Sequence, residues 1–469
     1  MLIELRDADQ LNPSVNIEVL PSTVLLEIFS FYMGRPDARE DVWHTLVYVC
    51  RQRRFVVFDS PRRLNLLLLC TPKRPLKMLD IWPALPIVID FLSEGEQPEG
   101  MADIVAAQLL KQHCRVRRID IQGISNSLMK EFAAMKKPFP QLTALKLDSN
   151  QENVPILPES FLGGSAPRLW ILNLDGIPFP AVKELPLSCR NLVALRLWSI
   201  PHSGYISPEA EVTCLSALTG LRVFFLGFRS PQSPVGRGTQ RLPPLTRIVL
   251  AALTKFAFRG NCEYLEDIVS LVDTPLLNHF KIIFFNQLIF HTPQLRLFIS
   301  RTEMIKPHYR ATVTFYNRRA EVRVSPPEGT AVHEGLFLEV SCPPSDWQLS
   351  SLSQLCSSSL PPLSTLEHLK ILSSRSHWED DFESTQWLEL LYSFASVNNL
   401  VLARVSALLV APALRGLTGG SMTEVLPMLQ CLHIEGRQRS NRVKEIIEPF
   451  IAARQLSGHP VAILCDEVR

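Results

Sequence analysis

The sequence predicts an α/β protein in which a short N-terminal helical segment precedes a solenoid of strand-and-return units, with a parallel sheet on the concave face. Three observations predict it. An apolar-x-x-apolar-x-apolar unit recurs from about residue 116 onward; its copies are regularly spaced; and 46% of the 469 residues are hydrophobic, enough to bury a large core and too many for a disordered chain.

The units are Val116/Ile119/Ile121, Leu142/Leu145/Leu147, Leu169/Leu172/Leu174, Leu192/Leu195/Leu197, Leu221/Phe224/Leu226, Leu253/Phe256/Phe258, Leu277/Phe280/Ile282, Leu366/Leu369/Ile371, Val397/Leu400/Leu402 and Leu429/Leu432/Ile434. The middle residues 119, 145, 172, 195 and 224 lie 26, 27, 23 and 29 apart, and 369, 400 and 432 lie 31 and 32 apart. These are the lengths of leucine-rich repeats. Alternate residues of a short strand point to one side, so each unit offers an apolar row that only a stacked neighbour can bury. Tyr264–Val272, Trp387–Phe394 and Val443–Leu456 carry apolar residues at helical spacing and read as return segments, while Pro460–Cys465 reads as a closing strand. The asparagine usual after the strand is present only as Asn150 and Asn261. Residues 300–345 alternate, as in Thr312–Tyr316 and Glu321–Val324, and fit either a hairpin or degenerate repeats. The proline-rich stretch Arg229–Leu245 reads as an exposed loop. The division expected is residues 17–70, a helical docking segment; 71–115, a helical linker and N-terminal cap; and 116–469, the solenoid.

A formal net charge of +2 argues against whole-molecule attraction to nucleic acid or to an anionic membrane. Ten scattered cysteines without a Cys-x-x-Cys pair, and no usable glycosylation sequon, point to free thiols and an intracellular protein, cytoplasmic or nuclear. The apolar stretch Leu276–Phe290 is broken by Asn278, His279, Lys281, Asn286 and Gln287, so no membrane span is expected.

Residues 17–70 carry a separate signal. Pro21 at a helix start with Leu25, Leu26, Ile28 and Phe29 behind it marks one amphipathic helix, and Trp43, Leu46, Val47 and Cys50 mark a second. The set Leu20, Pro21, Leu25, Leu26, Ile28, Phe29, Trp43, Leu46, Val49, Cys50, Arg51 and Arg54 resembles an F-box, with Thr23 where glutamate is common and Arg53 where a second tryptophan is usual. The chain as a whole is similar to fungal proteins that join an F-box to irregular leucine-rich repeats. The resemblance implies that Leu20, Pro21, Leu25, Leu26, Ile28, Phe29, Trp43, Leu46, Val49 and Cys50 dock on a Skp-type adaptor, and through it a cullin, in an SCF ubiquitin ligase whose substrate the repeats hold. A solenoid end-cap would account for the same apolar pattern, giving a protein-binding scaffold without ligase association.

No enzyme is expected and no cofactor or metal is called for. Ser127-Leu-Met-Lys130 lacks companion motifs, Gly236-Arg-Gly238 lacks the flanking strand and helix of a phosphate loop, and the acidic run His377–Glu383 reads as a solvated segment. Binding is expected instead on the concave sheet face. Residues between the inward ones are Arg118, Lys146, Arg196, Lys255, Lys281 and Lys370, with His279, His368 and His433 beside them and Asp120 as the lone acid. With Trp198 and Phe225 as apolar anchors, this predicts an acidic or phosphorylated protein partner.

Overall fold

The computed structural model describes residues 20–34, 42–71, 79, 84–91, 101–179, 189–231, 247–287, 289–302, 310–325, 335–342, 345–360, 363, 365–374, 384–417, 424–435 and 440–465. Most of the proline-rich stretch and the acidic run at 377–383 lie outside them. Helices α1 (Ser22–Met33), α2 (Trp43–Val47) and α3 (Arg51–Asp59) are followed by strands β1 (Leu68–Cys70) and β2 (Ile87–Phe91), helix α4 (Met101–Leu110), β3 (Val116–Ile121), α5 (Asn126–Ala134), β4 (Ala144–Asp148), β5 (Ile171–Asp175) and β6 (Ala194–Ile200). Then come α6 (Pro208–Ala217), β7 (Val223–Phe228), β8 (Ile248–Val249), β9 (Lys255–Gly260), α7 (Cys262–Leu271), β10 (Val272–Asp273), β11 (His279–Phe285) and α8 (Pro293–Arg301). The chain continues through β12 (Arg310–Tyr316), β13 (Arg319–Ser325), β14 (Gly335–Ser341), α9 (Ser345–Ser359), β15 (His368–Ser373), α10 (Ser384–Tyr392), β16 (Asn399–Leu402), α11 (Arg404–Arg415), β17 (Cys431–Ile434), α12 (Ser440–Leu456) and β18 (Ala462–Cys465).

Sixteen of these strands form one sheet in the order β1-β2-β3-β4-β5-β6-β7-β9-β11-β14-β13-β12-β15-β16-β17-β18, and every pairing is parallel except those of β13. This is the α/β solenoid expected, with helices packed against one side of the sheet. The middle residues of the ten units fall on one register row from Ile119 through Leu145, Leu172, Leu195, Phe224, Phe256 and Phe280 and on to Leu369, Leu400 and Leu432, all buried. Within that row the rings of Phe224, Phe256 and Phe280 stack at centroid distances of 5.3 and 5.2 Å. Where an asparagine ladder would serve the turns, the backbone serves itself: Ser149 N donates to Asp175 O (2.9 Å), Gly176 N to Trp198 O (2.9 Å) and Arg229 N to Ile200 O (3.0 Å). Gly176 sits at φ +69°, and a Cβ there would meet Ser149 O.

The structure departs from the sequence reading at two places. The sheet begins at Leu68, not Val116: β1 pairs with β2, and β2 with β3, so strands occupy part of the region expected to be a helical linker. Within residues 300–345 the described strands β12 and β13 form a hairpin, of the two alternatives, and it is spliced into the sheet. Strand β14 pairs with β11, β13 runs antiparallel between β14 and β12, and β12 pairs with β15. The core row is unbroken across it, from Ile282 through Leu338, Val322 and Val313 to Ile371, all fully buried.

The N-terminal helices close the end of the array. Leu25, Leu26, Phe29, Trp43, Leu46 and Val57 belong to the same continuous core as Leu64, Leu66 and Leu68, and the Trp43 indole donates to Leu67 O (2.8 Å) next to β1. At the other end, buried Arg454 of α12 donates to Leu429 O (3.1 Å), tying that helix to the preceding repeat.

Candidate functional site

Two surfaces are candidates: the outward side of the N-terminal helices and the sheet face away from the packed helices. Helix α1 is apolar on more than one side. Leu25, Leu26 and Phe29 face the core, while Val24, Ile28 and Phe31, at helical spacing i, i+4, i+7, are 41%, 47% and 78% exposed. Tyr48 and Val49 after α2, and Phe55 in α3, are also exposed. Scattered exposed hydrophobics are ordinary, but a stripe of them along one helix with three more on the adjoining elements is a surface left uncovered by the described residues.

The ten residues expected to touch an adaptor therefore divide. Leu25, Leu26, Phe29, Trp43 and Leu46 are buried and hold the helices on the solenoid, so in this structure they lie beneath the surface that the other residues form. Pro21, Ile28 and Val49 are exposed, and Leu20 and Cys50 are half-buried. The Cys50 sulfur accepts from Arg53 N at 3.5 Å and caps α3, which gives the cysteine a structural task. Sequence reasoning missed Val24, Phe31, Tyr48 and Phe55; the i, i+4, i+7 recurrence of 24, 28 and 31 was the available signal.

On the sheet face the outward residues named from the alternation do point away from the core, and register brings them into rows. One row runs Asp90, Asp120, Lys146, Asn173, Arg196, Phe225, Ala257, Lys281, Phe337, Arg323, Thr312, Lys370, Val401, His433. Arg118, Lys255, His279 and His368 belong to the adjacent row. The face is not uniformly basic. Lys146 pairs with Asp120 (2.8 Å), Arg118 with Asp90 (3.6 Å) and Lys370 with Glu435 (2.7 Å). Asp148 and Asp175 stand side by side one pleat further along, and burial followed by repulsion from Asp175 raises the Asp148 carboxyl above its ordinary range. From β2 to β6 the acids thus offset the bases. Trp198 and Phe225 do meet, at 5.9 Å between ring centroids, with the Arg196 guanidinium over Phe225 at 5.2 Å.

Positive charge gathers instead around the spliced hairpin. Lys255, Arg259, Lys281, Arg319 and Arg323 lie on β9, β11 and β13 against two acids, Glu321 and Glu339, both buried. Burial pushes the Glu339 carboxyl up, Arg319, Lys281 and Arg259 only partly offset this, and Glu321 adds to the rise. Among the described residues no group of three or more His, Cys, Asp or Glu is placed to hold a metal ion, and no helix is long and apolar enough to cross a membrane.

No family model matches the chain, and no curated protein matches it. Among solved structures, the leucine-rich repeat-containing protein LegL7 from Legionella pneumophila is similar over 73% of this chain and 99% of its own, at 13% identity and a TM-score of 0.28. The assignment of this chain as an α/β repeat solenoid rests on its own strand order, register and buried rows.

Proposed function

We propose that this chain is the substrate-recognition subunit of an SCF-type ubiquitin ligase: α1–α3 dock on a Skp-type adaptor, which links the chain to a cullin, and the solenoid holds a protein substrate on its sheet face. The observation that carries this reading is the exposed stripe Val24, Ile28 and Phe31 together with Tyr48, Val49 and Phe55. A cap needs an apolar inner face and a polar outer one. These helices have the first, but on the second Val24, Ile28 and Phe31 stand exposed beside polar Glu27 and Ser30, so capping alone leaves the apolar outer stripe unexplained. The ligase chemistry then belongs to other subunits, and this chain raises the effective concentration of substrate near them.

The same helices serve as the cap, so the scaffold reading without ligase association has an observation behind it as well: one core runs from Leu25 into the solenoid. The two separate in one experiment. Ile28→Asp with Phe31→Asp places charge on an already exposed surface, so the thermal midpoint should hold while recovery of a co-expressed Skp-type adaptor falls at least about tenfold, equivalent to ~1.4 kcal/mol or more. Undiminished recovery would leave only the scaffold reading standing.

A further inference from the structure

Glu321 of β13 and Glu339 of β14 are register partners on adjacent strands, and both are buried although they face away from the packed helices. Four cations surround them. Arg319 Nη1 lies 3.9 Å from Glu339 Oε2 and Arg323 Nη2 3.7 Å from Glu321 Oε1, while Lys281 and Arg259 act on Glu339 from the strands on its other side. Those separations exceed hydrogen-bond length, and among the described residues none of the four side chains makes a shorter polar contact, so their donors stay available. The Arg259 Nε is buried with no hydrogen-bond partner. Aromatic rings fix the cations in place: Lys281 and Arg323, on the strands flanking Phe337, stand 4.7 and 5.3 Å from its centroid, and Arg319 stands 4.4 Å from that of Tyr316. Arginines held this way lose little freedom on gripping a ligand.

Four positive charges around two carboxylates leave a local excess of two, while the whole chain carries only +2. The Arg319 and Arg323 side chains are 47% and 54% exposed, so the excess faces solvent. A phosphate monoester carries roughly −1.5 to −2 near neutral pH and offers three strong acceptor oxygens, whereas one carboxylate carries a single charge and two oxygens. We propose that this cluster is a phosphate-monoester site, and that it takes a phosphorylated serine or threonine of the protein bound on the sheet face. The inference rests on the reading of that face as the substrate surface.

The probe is O-phosphoserine, titrated into the full chain at constant ionic strength and followed by phosphorus NMR and thermal midpoint, with glutamate in parallel. O-phosphoserine should raise the midpoint and glutamate should not. Arg319→Gln with Arg323→Gln should weaken the response at least tenfold, and Lys130→Gln, an exposed position on helix α5, should leave it unchanged. Should the glutamine variant fail to fold around its buried carboxylates, Arg319→Lys with Arg323→Lys keeps the charge, loses the planar donor fork and should still weaken binding severalfold. Equal responses to glutamate, an undiminished response in the folded variants, or no response at roughly 10 mM, where a millimolar site is nearly saturated, would each overturn the proposal. No adaptor enters these titrations. A chain that binds the phosphate and recovers no adaptor sinks the ligase reading alone; one that recovers the adaptor and ignores the phosphate sinks this one.

Discussion

At pH 8 the Glu211→Met variant should unfold at a clearly higher temperature than the natural chain, and at pH 5 the gap should be much smaller. Glu211 lies in the first turn of α6, fully buried, and neither carboxylate oxygen has a hydrogen-bond partner. A helix N-terminus favours a negative charge, but the loss of solvation dominates and burial pushes this carboxyl up to about 8 from an ordinary 4.5. Nearby Tyr264 gives its hydroxyl proton to Ile206 O (2.8 Å), so it does not serve the glutamate. Between pH 4.5 and 8 the folded chain keeps a proton that the unfolded chain has released, so stability falls as pH rises, by ~1.4 kcal/mol per unit. The contribution is intact below 4.5 and fully lost once pH passes 8, a span on the order of 4–5 kcal/mol. Methionine fills a similar volume without a charge and removes that slope. Burial also raises Glu266 and Glu339, with the same sign, so the diagnostic quantity is the difference between the two pH profiles. Parallel profiles from pH 5 to 8 would mean that Glu211 does not titrate in the folded chain. Glu209→Met, one helical position pair away and exposed, is the control that should change little.

The second large effect concerns the end of the solenoid. Trp43→Ala should cost roughly 3–5 kcal/mol for the lost ring and its cavity, and it also leaves Leu67 O without its indole donor. The ring is 1% exposed and meets Phe58 edge-on at 5.8 Å. Because this packing is continuous with β1, removal of residues 17–60 should destabilise the first repeats as well as remove the docking surface. A truncated chain is thus a poor test of docking, and the surface pair Ile28 and Phe31 is the informative one. Denaturant unfolding of Trp43→Ala measures the effect; a midpoint within experimental error of the natural chain would show that α2 does not brace the array.

Much of the fold was legible because ten copies of one apolar spacing leave little freedom in what is buried, and all ten fall into register. Strands β1 and β2 were not legible, since Leu66–Cys70 and Leu85–Phe91 are nearly continuous apolar runs that strand and helix share equally. The sheet face was half legible. Period two told which residues point outward, but charge there is settled between strands far apart in the chain, as when Lys370 finds Glu435. Asp90 was missed with its strand, and the Glu321–Glu339 pair with the undecided hairpin. In α1 two apolar stripes lie side by side, and only the packed structure distinguishes the one that is buried from the one left outside.

The spliced hairpin has a parity. Strands β12 and β13 add two strands, one in each direction, so β15 resumes with the same chain sense and the same pleat phase as β11 and β14. An odd number of antiparallel-paired strands would have set β15 against the direction of β14, whereas the even number leaves both with one chain sense. The hairpin is therefore a self-contained insertion: it sets the chemistry displayed at the middle of the sheet while the core rows on either side keep their register.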